Sequence, residues 1–269
     1  QQEIITRLLQ RAYRRTPTKV ETDRVLKFAN AQMNAGLKWE EAMQKVLQVV
    51  LCSPKFLFRV EMDDRPSASE SRAIDEFHLA SRLSYFLWSS MPDDTLLDLA
   101  AKRKLTANID AQIDRMLADE RASELVRNFV QQWLQIQRLK TVAPDTKLFP
   151  AFNEPLRQAM LRETELFCEA IMKEDRNLLK LIDADFTFLN APLAKHYGIT
   201  KTGDEKPKPL KFKGAEFQRV LLPDRKRGGL LTQGSVLTVT SNPTRTSPVK
   251  RGRWVLEQIL GSPPPPPPP

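Results

Sequence analysis

The sequence predicts an all-α protein: multi-helix bundle domains followed by an irregular basic segment, a final helix and a polyproline II tail. Three observations lead there. Apolar residues recur at spacings of three and four through most of the first 200 positions, as in Ile4, Ile5, Leu8, Leu9 and Ala12. Breaks such as Thr16-Pro17, Met91-Pro92 and Phe149-Pro150 divide that pattern into helix-sized pieces. No fixed-period repeat is visible, so a solenoid is not expected.

At 269 residues and 41% hydrophobic, the chain has material for one large core or two to three smaller ones. After the first helix, Thr18 and Glu21 stand at capping-box spacing and start a second, which carries Val25, Phe28, Ala29 and Met33 on one face. That helix should stop between Asn34 and Gly36, where glycine tolerates the left-handed conformation. A third runs from about Trp39 to Leu51. Ser53-Pro54 then opens a short one with Phe56, Leu57 and Val60, since a proline in the first turn sacrifices no hydrogen bond. The polar run from Asp63 to Ser71 reads as a linker, giving a first module over 1–66.

A central helical domain is expected over 67–203, with helices near 75–88, 93–101, 108–119, 121–138, 154–173 and 190–197. Leu125, Phe129, Gln132, Trp133 and Ile136 read as one buried face, and Leu161, Phe167, Ile171 and Met172 as part of another. Glu163, Glu165 and Glu169, beside Arg162, read as a solvated face. His196 falls at a helix end closed by Gly198, where the helix dipole favours it. Residues 204–269 form the third module. Before and within it, 201–213 is an exposed loop and Phe217 to Leu222 a short extended piece. The run Leu230 to Val239 is expected to be helical in its first half and irregular in its second.

The charge is unevenly placed. Residues 201–269 hold 13 Lys and Arg against 5 Asp and Glu, while 1–200 hold 29 against 28, so the net charge of +9 is almost wholly local. A localised basic segment points to an anionic partner. Its candidate anion- or partner-binding residues are Arg227, Thr244, Arg245, Ser247, Lys250, Arg251 and Arg253. Ser247-Pro248 supplies a cap and first residue for a helix ending at Gly261. Basic residues in a helix's first turn oppose its dipole, so a counter-charge is expected, from the protein itself before a ligand. Nucleic acid is disfavoured, because Trp254 is the only aromatic residue after Phe217. No phosphate-loop pattern accompanies Arg227-Gly-Gly.

A second candidate is a polar stripe on the helix starting near Asp75, where Asp75, His78, Arg82 and Tyr85 follow helical spacing. Such a stripe can bind a polar ligand or exchange protons, and serves equally as an interface of ion pairs. Two isolated cysteines, Cys52 and Cys168, and two histidines support no disulfide framework, metal site or covalent haem attachment. No apolar run is long enough for a membrane span; Phe77 to Trp88 is interrupted by His78, Arg82 and Ser84. Gln1 to Ile5 do not resemble a secretory signal, which leaves either a cytoplasmic protein or a piece of a longer one.

Several segments carry a resemblance: Leu79 to Asp94, Phe129-Val-Gln-Gln-Trp-Leu134, Phe186 to Asn190, His196-Tyr-Gly198, Arg227 to Thr232, and above all Thr240 to Gly252 leading to Trp254 and the proline run. Together they resemble the planctomycete-type proteins that carry cytochrome c modules beside several domains of unknown function. The resemblance implies an exported, extracytoplasmic, multi-module parent whose partners are its own other modules, a cytochrome c domain among them. It implies no cofactor within this chain, which has no C-x-x-C-H; c-type haem would belong to another module. It transfers no catalytic residue. The function it implies is support of electron transfer or oxidative chemistry by docking a haem domain or partner. An exported enzyme or binding module for anionic or polymeric substrates is the alternative, and a structural subunit of an envelope assembly a third. The seven prolines from Pro263 favour a stiff extended strut of about 3 Å per residue.

Overall fold

The computed structural model describes residues 1–59, 61, 73–224 and 226–265. The expected linker at 63–71, Val60, Arg225 and the last four prolines lie outside the described residues. Helices dominate, with one two-stranded sheet, and the chain forms two compact units that divide between Ala122 and Ser123.

The first unit begins with α1 (Gln2–Tyr13), α2 (Lys19–Asn34), α3 (Trp39–Leu51) and the short α4 (Pro54–Leu57). The capping box forms as the spacing predicts: Glu21 N–H donates to Thr18 Oγ1 (3.3 Å) and Thr18 N–H to the Glu21 carboxylate (2.8 Å). Glu21 also pairs with Arg15 and Lys55, and its hydrogen bond from Arg15 leads the causes that hold its carboxyl well below the usual range. Ile5, Leu9, Ala12, Val25, Ala29, Val46 and Val50 form a small core. Arg14 ends α1 in the left-handed conformation (φ 57°) and turns its guanidinium inward, donating to the carbonyls of Lys55, Phe56 and Phe58. A buried cation is tolerable there because the exposed carbonyls of a helix end satisfy it.

The rest of the unit is α5 (Glu76–Trp88), α6 (Asp94–Ala101) and α7 (Ile109–Ala118). Asp75 caps α5 and Asp93 caps α6, each accepting backbone N–H groups of the first turn. Trp88 is buried, donates its indole N–H to Met116 O (2.9 Å) and lies under the Arg121 guanidinium at 3.5 Å.

The second unit is organised around α10 (Glu154–Lys173), the longest helix. Before it, α8 (Ser123–Leu125) and α9 (Gln131–Trp133) flank a π turn over Val126–Val130. This corrects the expected single helix over 121–138. One extra residue in a turn rotates everything beyond it, so Val126, Val130 and Leu134 face the core while Phe129 is 56% exposed. Phe129 stacks on Trp133 instead, centroids 5.7 Å apart.

A short antiparallel ladder follows, β1 (Phe186–Leu189) with β2 (Gln218–Leu221), in the register Phe186↔Leu221 to Leu189↔Gln218. β2 matches the expected extended piece; β1 was not anticipated. Between them lies α11 (Ala191–Tyr197), capped by Asn190 and closed by Gly198 at φ 70°. The run after Gly229 reverses the expectation: Leu230–Thr232 is a single 3-10 turn and the helix, α12 (Gly234–Val239), occupies the second half. Thr232 explains the delay. Its Oγ1 accepts from Gly228 N–H (2.8 Å), folding the chain into a turn before α12 can begin.

The final helix, α13 (Pro248–Trp254), is capped by Ser247, runs into a π turn over Val255–Ile259 and stops before Gly261 at φ 60°. Two tryptophans lock it to α9. Trp254 donates to Leu134 O (3.0 Å), and Trp133 to Gln258 O (2.6 Å). No helix among the described residues is long and apolar enough to cross a membrane.

Candidate functional site

The seven basic-segment candidates separate into three groups. Arg245 and Arg251 both line a pocket of about 460 Å³ in the second unit. Lys250 and Arg253 point away from it to solvent, Arg253 pairing with Glu257 (2.6 Å), while Ser247 is occupied as the helix cap and Thr244 is exposed outside the pocket. Arg227 is drawn inward: its guanidinium lies 3.8 Å from the centre of the Tyr197 ring and donates to Thr232 O (2.7 Å).

The pocket is built by two loops. The 142–152 loop is held by Asp145, whose carboxylate accepts Lys147 and Leu148 N–H and whose own N–H donates to Pro243 O (3.0 Å) in the facing loop. The facing loop is shaped by Asn242 N–H donating to Arg245 O (2.9 Å). Arg251 reaches back across it to the hydroxyls of Thr240 (3.3 Å) and Thr246 (3.2 Å). Phe149, Phe152, Met160 and Leu237 supply apolar walls, and Thr238, Ser241 and Thr246 supply hydroxyls. His196 lines the edge. Partial removal from water, and then the charge of Arg227, keep its imidazole below its ordinary value and so neutral at pH 7.

Among the described residues no carboxylate lines this pocket. Among the described residues the protein supplies a counter-charge to the basic segment at Arg219 (Glu174), Lys226 (Asp224) and Arg253 (Glu257). Arg245 has no ion-pair partner among the described residues, and Arg251 is held by hydroxyls alone. Two guanidiniums over an apolar basin can seat a carboxylate, sulfate or sulfonate whose body is apolar.

Behind the pocket lies a buried polar cell that the sequence did not disclose. Glu163, read as part of a solvated face, is 1% exposed. Its carboxylate accepts from Thr187 Oγ1 (2.6 Å) and Tyr197 OH (2.5 Å), and Tyr197 OH in turn accepts Gly234 N–H (2.6 Å). Burial pushes Glu163 up to about 7, against the opposing hydrogen bonds of Thr187 and Tyr197 and the charge of Arg227. Glu165 is buried too, bonded by Gln131 (2.6 Å) and Arg162 (2.9 Å), and Glu169 pairs with Lys173. Beside Glu163 the cell encloses about 10 Å³, room for one water at most. Gln233 lines it, with a buried Nε2 that has no hydrogen-bond partner among the described residues. The one signal available was positional: Glu163 and Thr164 fall on the stripe of Met160, Phe167 and Ile171, where a helix facing the core should be apolar.

A raised carboxyl makes stability depend on pH with a defined sign. Between about 4.5 and 7 the native state keeps a proton that the unfolded chain has lost, so stability is greatest below 4.5 and falls as pH rises through 7, by roughly 3 kcal/mol in all. Glu163→Gln, an uncharged mimic, is expected to flatten that slope. Urea unfolding at pH 5.0 and 8.5 should show the variant gaining on the wild type at the higher pH only. An unchanged slope would place the titrating group elsewhere.

The polar stripe of the first unit stays a stripe. Asp75 is spent on capping, Arg82 forms a two-point pair with Glu61 (2.7 and 2.5 Å), and Tyr85 lies under Arg59 at 4.2 Å. Asp75, His78 and Arg82 share a wide cleft of about 830 Å³ with Arg15, Lys55 and Glu61. Among the described residues Arg14, Arg15, Lys55, Arg59 and Arg82 line it against two carboxylates, Glu61, which is paired with Arg82, and Asp75, which caps α5. Among the described residues no three His, Cys, Asp or Glu side chains come together in a way that could hold a metal ion.

Three family models match in succession. Residues 1–61 match PSD5, a protein of unknown function (DUF1595); residues 74–199 match PSD4 (DUF1592); and residues 227–269 match PSCyt3 (DUF1588), both described in the same terms. The chain belongs to the planctomycete cytochrome c-associated proteins. No curated protein and no solved structure matches it. Within this cytochrome c-associated family, the PSD4 match ends at Ile199 and so contains Glu163, His196 and Tyr197, while the PSCyt3 match contains Arg227, Arg245 and Arg251. The pocket is thus assembled jointly by two of its domains.

Proposed function

We propose that the second unit is a binding module for an anionic small molecule with an apolar body, taken up in the pocket of Arg245 and Arg251. The observation that carries this reading is two guanidiniums, without a carboxylate partner among the described residues, in one pocket with Phe149, Phe152, Met160 and Leu237. A charge-assisted Arg–carboxylate contact contributes about 1.5–3 kcal/mol, so charge should decide between ligands of equal shape. In isothermal titration, 1-naphthoate is expected to bind at least about tenfold more tightly than the isosteric 1-naphthamide. Arg245→Ala with Arg251→Ala should abolish that preference. Equal binding of acid and amide, or a preference surviving in the double variant, would sink the proposal.

The module belongs, in this reading, to an extracytoplasmic parent that carries c-type haem elsewhere and uses it in electron transfer or oxidative chemistry. The family's cytochrome association supports that setting. So does the outer face of the final helix, where Val249 is 82% exposed next to Lys250 and Arg253, with Leu260 also uncovered. An apolar strip rimmed by cations suits docking of a haem domain. Haem absorption in the full-length parent, and its loss of association after Val249→Asp, are the expected results; a parent without haem contradicts the setting but not the pocket.

A further inference from the structure

We propose that the pocket takes up its anion together with a proton held on Glu163. This rests on the pocket reading above and adds regulation to it. Three elements each connect the pocket with the buried cell. From α10, Met160 lines the pocket and Glu163, one turn on, enters the cell. From α11, His196 lines the pocket and Tyr197 the cell. α12 begins at Gly234, bound through its N–H to Tyr197 OH, and presents Leu237 and Thr238 to the pocket. Tyr197 of the cell and Met160 of the pocket both close on Gly234: a Cβ built there would meet Tyr197 OH at 2.9 Å and Met160 Cε at 3.0 Å.

The groups facing Glu163 are few. Tyr197 comes from α11, Thr187 from β1, Arg227 from the turn before α12, and Gln233 from the start of α12. Among the described residues Arg227 is the one cation of this group, and Tyr197 is held well above its ordinary value, so it stays a neutral donor. An anion entering the pocket adds negative charge beside a carboxyl already removed from water. It therefore favours the protonated form of Glu163, and by reciprocity the protonated form binds the anion more tightly. Since burial places the carboxyl near 7, the exchange falls at neutral pH.

Titration with 8-anilinonaphthalene-1-sulfonate tests this, performed in Bis-Tris and in Tris at pH 7.2, whose different ionisation enthalpies reveal proton uptake. The wild type is expected to take up a fraction of a proton per bound probe, and its affinity to fall about three- to tenfold between pH 6.5 and 8.5. In Glu163→Gln both effects should vanish. Tyr197→Phe removes a hydrogen bond that holds the carboxyl down, so its midpoint should move to higher pH. His196 lies below its ordinary value and titrates under this window. Uptake and slope that persist in Glu163→Gln, or that are absent from the wild type, overturn the proposal. Probe binding indifferent to Arg245→Ala and Arg251→Ala together would fail the pocket reading instead.

Discussion

Gly229→Ala is expected to unfold the second unit or cost it more than about 4 kcal/mol. Gly229 has φ 63° and ψ −175°, a region open to almost no residue but glycine. A Cβ there would also stand 2.3 Å from Ile182 O and 2.5 Å from Leu181 O, main-chain atoms that have nowhere to go. Gly228 adds a lesser constraint, its Cβ meeting Ala184 O at 2.8 Å. These contacts let the turn lie against the chain leading into β1 and carry Arg227 to Tyr197. The control is Gly252→Ala, in α13, where nothing lies within 4 Å of the added methyl. Helix propensity alone then operates, and a gain of about 0.5–1 kcal/mol is expected. Urea melts of the two variants should therefore move in opposite directions.

Trp254→Ala is the second large effect, with an expected loss of about 3–5 kcal/mol from removal of a buried aromatic side chain. Part of that loss is polar, because Leu134 O would lose the indole donor at 3.0 Å. Trp254→Phe separates the terms: it keeps most of the packing and should cost only about 1–2 kcal/mol. Trp133→Phe should resemble it, since Trp133 is only partly buried and donates to Gln258 O. Thermal melts of the three variants rank these outcomes; a Trp254→Ala protein as stable as Trp254→Phe would show that the final helix is not anchored in the core.

Helix limits were legible because their signals are local. Thr18 with Glu21, Ser53 with Pro54 and Ser247 with Pro248 each satisfy the first turn from within a few residues, and all act as caps in the structure. Where the reading went astray, the cause was remote. The π turn at Val126–Val130 displaced the expected 125/129 face by one position, a shift that periodicity cannot register. Four-residue β1 gains its strand character from pairing with β2, some 30 residues on. Glu163 is buried among Thr187, Tyr197 and the turn that carries Arg227 and Gln233, none of them near it in sequence. Of the candidate site, Arg245 and Arg251 were named from charge and loop chemistry. The pocket beneath them was not, because its opposite wall, 142–152, announced itself only as a set of helix breaks.

The two guanidiniums and the apolar walls are expected to act as one binding site. A crystal structure of the protein with 1-naphthoate decides it directly. The expected result is one ligand in the second unit, its carboxylate bonded to Arg245 and Arg251 and its rings against Phe149, Phe152 and Leu237. Naphthoate bound elsewhere while these arginines remain in solvent, or seated in the pocket with its carboxylate turned away from both, would contradict it.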